Sequence, residues 1–254
     1  MAVICCLSDI PAARKLCCYI FALVGCYRCY KRATGEDGQR PNFGRFEDID
    51  NWFKMKDLAK YRYNALIWKK QLTKEDRKNH VNRTLVRWLE MLRLPYFDPI
   101  RFVVVDPMHN LFLGIVHWIV KRLWVDREKI TKANLELMEK RAKKIKVPAD
   151  LGRIPYKIAT GEGFFGYTAD QWKTFIMIYA TPIMWDLLSE SDQKILAHFV
   201  RVCFLLTTRI IDENALDEAH SRLLSEGCSI SGRKLWPRSN NAKYSSLSSS
   251  CRML

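Results

Sequence analysis

Asp9, Asp106, His109, Cys26 and Cys29 are the side chains whose type and spacing could do chemistry in this sequence. Asp9 follows the apolar, β-branched run Val3–Leu7, which reads as a short buried strand. A carboxylate at a strand end is held rigidly at a sheet edge, where it could ligate a divalent cation. The same residue precedes Ile10-Pro11-Ala12, so it equally suits the N-cap of a helix, and spacing alone favours the cap. The string Asp106-Pro107-Met108-His109 follows a second β-type run, Phe102–Val105, and would bring a carboxylate and an imidazole close to a helix start. Its plainer reading is again a cap and a packed histidine. Cys26-Tyr27-Arg28-Cys29 has the gap that lets two thiolates grip one zinc ion. A closed site needs two further ligands and no second such pair is present, so structural thiols are the alternative; His109 and His117 are distant candidates.

Charge adds a polyanion-binding signature. The chain of 254 residues carries 42 Lys and Arg against 27 Asp and Glu, a formal net charge of +15. Such a field steers phosphate-bearing partners and gains from counterion release. The excess is densest from Lys54 to Arg87, with 11 basic residues against three acids, and there Lys54, Lys56, Lys69, Lys70, Lys78, Arg83 and Arg87 are candidate DNA contacts. The Trp and Tyr residues interleaved with them could stack on bases, although at helical spacing aromatic residues also build cores. A solvated helix face is the competing reading of the charge run. Gly-rich phosphate loops and a Ser-His-Asp order are not found.

These residues need elements to hold them. With 48% apolar residues the chain can build a real core. Pro11 suits the first turn of a short helix after Asp9. Helices are expected over Trp52–Leu72 and Val81–Leu94, separated from the first by a Gly- and Asp-rich loop at 33–51. Asn110–Trp124 is apolar nearly all round and should be a buried helix. Further helices are expected over Thr131–Lys146, from a Thr168/Gln171 capping box to about Leu188 with a break near Pro182, over Asp192–Ile211, and over Ala215–Ser225 with a stop at Gly227. Residues 228–254 read as a disordered, Ser-rich tail. The nine cysteines, odd in number and including adjacent pairs inside apolar runs, fit reduced thiols of an intracellular protein, nuclear or cytoplasmic. The apolar stretch Leu16–Tyr27 is too short to span a bilayer, so no membrane association is expected.

Three strings, SDIPAARKLCC…GCYRCYKR, LPYFDPIRFVVVDPMHNLFLG and YTADQWKTFIMIYATPI, occur in this order and resemble the CACTA-type (En/Spm-like) DNA transposases, especially the Plavaka-like branch of fungal genomes. The resemblance spans roughly residues 5–225. It implies a ribonuclease-H-like sheet carrying three acids, with a helical insertion before the last. Two divalent ions, magnesium or manganese, would there activate the attacking oxygen and stabilise the leaving one. By this resemblance Asp9 matches the second acid, Cys26 and Cys29 match a zinc-holding pair, and Asp106 and His109 match a D-x-x-H motif of unassigned role.

The resulting expectation is a mainly α protein: a helical insertion domain with a short residual β edge of a ribonuclease-H-like core. Residues 1–32 would form the core edge, 33–109 a basic helical region with the DPMH motif, 110–227 the insertion and 228–254 the tail. The sequence reads as a truncated transposase that associates with DNA, and with a full-length relative or itself, but lacks two of three acids for cutting. A non-catalytic DNA- or protein-binding module and a residual metal-dependent nuclease using Asp9 with Asp106 are the alternatives.

Overall fold

The computed structural model describes residues 5–17, 27–30, 54–148, 151–152, 154–161 and 163–231. Cys26, the loop expected at 33–51 and residues 232–254 of the expected tail lie outside the described residues, while residues 228–231, expected to be disordered, are helical. The fold is mainly α, with one two-stranded sheet among the described residues. It divides into two compact units, Met1–Asp106 and Pro107–Arg233, so the division falls inside the DPMH string. No described helix is long and apolar enough to cross a membrane.

In the first unit, β1 (Cys6–Ser8) pairs in parallel with β2 (Val103–Val105), in the register Cys6 to Val103, Leu7 to Val104 and Ser8 to Val105. Helix α1 (Ile10–Leu16) starts directly after β1. Its start is chemically specified: the Asp9 carboxylate accepts the Ala12 amide at 2.7 Å, and proline occupies the first turn, where a missing N–H costs nothing. Helix α2 (Leu58–Lys70) is capped by Asp57, and α3 (Lys74–Thr84) by Thr73. A short α4 (Pro99–Phe102) leads into β2, with the Asp98 carboxylate accepting the Ile100 amide at 2.8 Å.

The second helix expected here, Val81–Leu94, is corrected. The helix begins earlier, at Lys74, because Thr73 accepts the Asp76 amide at 3.0 Å. It ends at Leu85, whose φ of 64° and ψ of 14° are left-handed. That conformation costs a leucine about 1–2 kcal/mol. Burying the side chain, 6% exposed, returns roughly 2 kcal/mol. The chain then runs through a 3-10 turn at Glu90–Arg93, and Leu85, Val86, Leu89 and Leu92 enter one core with Tyr61, Ala65, Phe97 and Ile100. Helical periodicity was present in the apolar residues, but their common core decides the backbone.

The second unit opens with the expected buried helical segment, wound more widely than an α-helix. Met108–Val116 and Trp118–Val125 are π-helical, a form that is rare at this length. Thr131 caps α5 (Lys132–Lys144) by accepting the Asn134 amide. The capping box forms as expected: Thr168 and Gln171 exchange side-chain to backbone bonds at the start of α6 (Ala169–Thr174). A π-helical turn at Phe175–Tyr179 then precedes α7 (Ala180–Met184). The break therefore lies one turn ahead of Pro182, where the wider winding absorbs the N–H that proline lacks. Helix α8 (Glu190–Thr207) is capped by Ser189 and packs on α9 (Glu213–Ser231). The stop expected at Gly227 is corrected, since α9 runs through it. One glycine inside a helix costs only about 1 kcal/mol and does not by itself end it.

An aromatic cluster anchors this unit. Trp172 stacks on Phe164 with centroids 5.1 Å apart, and Phe175 meets Phe164 edge-on at 4.9 Å. Gly163 makes the approach to this cluster: its φ is +91°, and a Cβ there would lie 3.1 Å from Leu135. Trp124 and Lys129 both bond to the Asp192 carboxylate, which is 3% exposed.

Candidate functional site

Unit one holds the chemistry-bearing residues in two places. The first is the carboxyl end of the sheet. Asp9 and Asp106 are the residues immediately after β1 and β2, and the Asp106 N–H donates to the Ser8 carbonyl at 2.8 Å. Two carboxylates thus leave adjacent parallel strands at the same end. One oxygen of Asp9 is engaged as the α1 cap. His109, the other residue of the D-x-x-H string, is exposed in the first turn of the second unit's opening helix.

The second place lies around α2 and α3. Residues 27–30 are fastened to the sheet side of the unit by Tyr27 and Arg28, the two residues between the cysteines. The Tyr27 hydroxyl donates to the Val103 carbonyl at 2.6 Å. The buried Arg28 guanidinium donates to the carbonyls of Ile100 at 2.7 Å and Arg101 at 2.9 Å. Those bonds hold Cys29 fully buried, with its backbone bridged antiparallel to Met55. Among the described residues, no three His, Cys, Asp or Glu side chains converge as a metal cage requires.

Between this segment and the two helices lies a cleft of about 500 Å³. Cys29, Ile67, Leu85 and Val86 supply apolar surface; Tyr30 and Tyr63 supply exposed rings; Lys56, Lys60 and Arg83 supply charge, opposed by Asp57. The Asp57 carboxylate is already the α2 cap, accepting the Lys60 amide at 2.6 Å. Lys60 Nζ stands 5.7 Å from the centre of the Tyr30 ring. Of the candidate DNA contacts, Lys56 and Arg83 line this cleft, while Lys54, Lys69, Lys70, Lys78 and Arg87 are exposed elsewhere on the unit. Lys69 Nζ lies 3.9 Å above the Trp88 ring, and Arg77 stacks over Trp68 at 5.0 Å, so two cations ride on indole faces.

Tyr63 belongs to the interleaved aromatic residues expected to stack on bases, whereas Lys60 is not among the candidate contacts and Tyr30 lies outside the basic span. Part of the signal was there: Lys60, Tyr63, Asn64 and Ile67 sit at i, i+3, i+4 and i+7, one stripe of α2, and all four line the cleft. What closes the cleft, the 27–30 segment and the left-handed Leu85, has no such local pattern.

No protein-family model, no curated protein and no solved structure matches this chain.

Proposed function

We propose that the chain is a DNA-associated module of the CACTA-transposase type, and that the surface of α2 and α3 is its duplex contact. The observation that carries this reading is the exposure of Lys69, Lys70, Lys78, Arg83 and Arg87 in a span with 11 basic residues against three acids. Exposed cations at this density fit phosphates, while Lys78, Asn79, Asn82 and Arg83, all exposed on α3, are of the types that read base edges. The ribonuclease-H-like reading of the strand pair is supported by the parallel register that ends in Asp9 and Asp106. Zinc at Cys26 and Cys29 belongs to the same reading, with metal content of the purified protein as its check.

Duplex binding is tested by titrating the chain with DNA across a salt series. Each phosphate neutralised adds roughly 0.9 to the slope of log K against log salt. Joint replacement Lys69→Glu, Lys70→Glu and Lys78→Glu is expected to weaken binding by tenfold or more and flatten that slope. Unchanged affinity and slope in the triple variant would reject the assignment.

A second reading, a metal-dependent nuclease, is favoured by one observation, the adjacency of Asp9 and Asp106 at two parallel strand ends. Bound magnesium or manganese would supply activation of water there. Cleavage in the presence of either ion that is abolished by Asp9→Asn is its signature; cleavage that survives the substitution removes it. Among the described residues two carboxylates stand at this sheet edge, fewer than two-metal chemistry uses, which is why DNA association without self-sufficient cutting is the primary reading.

A further inference from the structure

We propose that the cleft between Tyr30, α2 and the end of α3 binds a single nucleotide unit, a phosphate ester carrying a planar heterocycle. Its volume, about 500 Å³, lies in the range of small-ligand pockets and suits one base with its sugar and phosphate. Charge selects the phosphate: Lys56, Lys60 and Arg83 face one carboxylate, and that carboxylate is committed to the α2 cap. The phosphate would be held by the side-chain cations of Lys56, Lys60 and Arg83, since the amides of Asp57 and Lys60 at the start of α2 are engaged by the Tyr30 hydroxyl and the Asp57 carboxylate.

The ring half of the ligand is selected by other residues. Tyr30 is 46% and Tyr63 65% exposed, and both line the cleft, an arrangement a core aromatic does not adopt. Tyr61, also in the wall, is committed to the core, with its hydroxyl donating to the Cys17 carbonyl at 2.9 Å. Tyr63 offers an open stacking face, Tyr30 a ring that Lys60 Nζ already approaches at 5.7 Å, and Ile67, Leu85 and Val86 an apolar floor.

The same chemistry could be met by a free mononucleotide or by one nucleotide of a single strand. Purified full-length chain is titrated with adenosine 5′-monophosphate, with adenosine, with inorganic phosphate, and with a short single-stranded oligonucleotide. Saturable binding of the monophosphate, at least tenfold tighter than either half alone, is expected. Lys60→Gln and Tyr63→Ala should each weaken it by fivefold or more; both residues are exposed, so folding is checked by an unchanged melting temperature. If the oligonucleotide displaces the monophosphate, the strand is the source; if only the monophosphate binds, the free nucleotide is. Absence of saturable binding, equal binding of phosphate alone, or indifference to both substitutions overturns the proposal. Lys60 and Tyr63 are separate from the triple duplex variant, so either reading can fail without the other.

Discussion

Asp9 and Asp106 stand side by side in the chain's pairing scheme, each the first residue beyond a strand, with Ser8 opposite Val105 in parallel register. The bond from the Asp106 amide to the Ser8 carbonyl closes that register. Ninety-odd residues of sequence intervene, yet the two acids end adjacent strands of one small sheet. That is the geometry in which carboxylates can share a cation, and it is also the geometry in which one of them caps the following helix.

The two roles of Asp9 separate by substitution. Loss of the cap in Asp9→Ala should cost about 1 kcal/mol of stability, while Asp9→Ser retains most of it. Chemical denaturation of both variants measures the difference. If the acid also holds a cation, manganese should raise the wild-type melting temperature and leave Asp9→Ser unmoved. Equal stability of the alanine and serine variants would mean that the cap contributes nothing.

Arg28 is expected to be structural. Its guanidinium is buried and reaches two carbonyls in fixed directions, which a lysine ammonium cannot reproduce. Arg28→Lys should destabilise the first unit by about 1.5–3 kcal/mol. A denaturation midpoint within error of wild type would show that the clamp is dispensable.

Asp192 makes the second unit acid-sensitive. Burial pushes its pKa upward, but hydrogen bonds from Lys129, Ser189 and Trp124, with the charge of Lys129, outweigh it and hold the carboxyl below its ordinary value. A depressed folded pKa means the stabilisation is complete above the unfolded value, about 3.9, and is lost as pH falls through the folded one. Stability should therefore drop below about pH 4. Asp192→Ala, which strands Lys129 beside a buried site, should cost about 3–5 kcal/mol at neutral pH. Asp192→Asn should lose only its share of the acid-dependent destabilisation, because Asp126, Glu139, Asp186 and Glu190 are also held below their ordinary values. An acid profile unchanged in the asparagine variant would show that Asp192 contributes none of it.

Glu218 joins α8 to α9. It accepts two Arg201 nitrogens at 2.9 Å each and Arg222 Nε at 2.8 Å, and those three bonds from two guanidinium groups hold its pKa at about 2. Its contribution should be complete above the ordinary carboxylate range and be lost progressively as pH falls from about 4.5 to about 2. As a surface pair it should be weakened by salt. In Glu218→Gln, amide exchange in α9 should accelerate relative to α5, an effect that shrinks in high salt. Equal exchange in both variants would show that helix packing alone holds α9.

Local chemistry was readable wherever a few neighbouring residues suffice. Asp9 with Pro11, Thr131, and the Thr168 and Gln171 box start helices in the structure as their sequence spacing implies, because capping acts across three or four residues. The apolar, β-branched run ending at Val105 is a strand as its residue types imply, although its partner β1 lies far away in sequence. Gly227 misled, since its conformational penalty is small beside the packing of α9 on α8.

The sequence alone determined the basic character of the chain, its helical bulk and the residue types at its strand ends, since composition and short-range pattern carry those properties. Tertiary structure decided the rest: which strand lies beside β1, where α3 stops, and that Tyr30, Lys60 and Arg83 share one cleft. Each of those outcomes depends on contacts between residues far apart along the chain, whose burial outweighs local backbone preference, and no short window of sequence contains both partners.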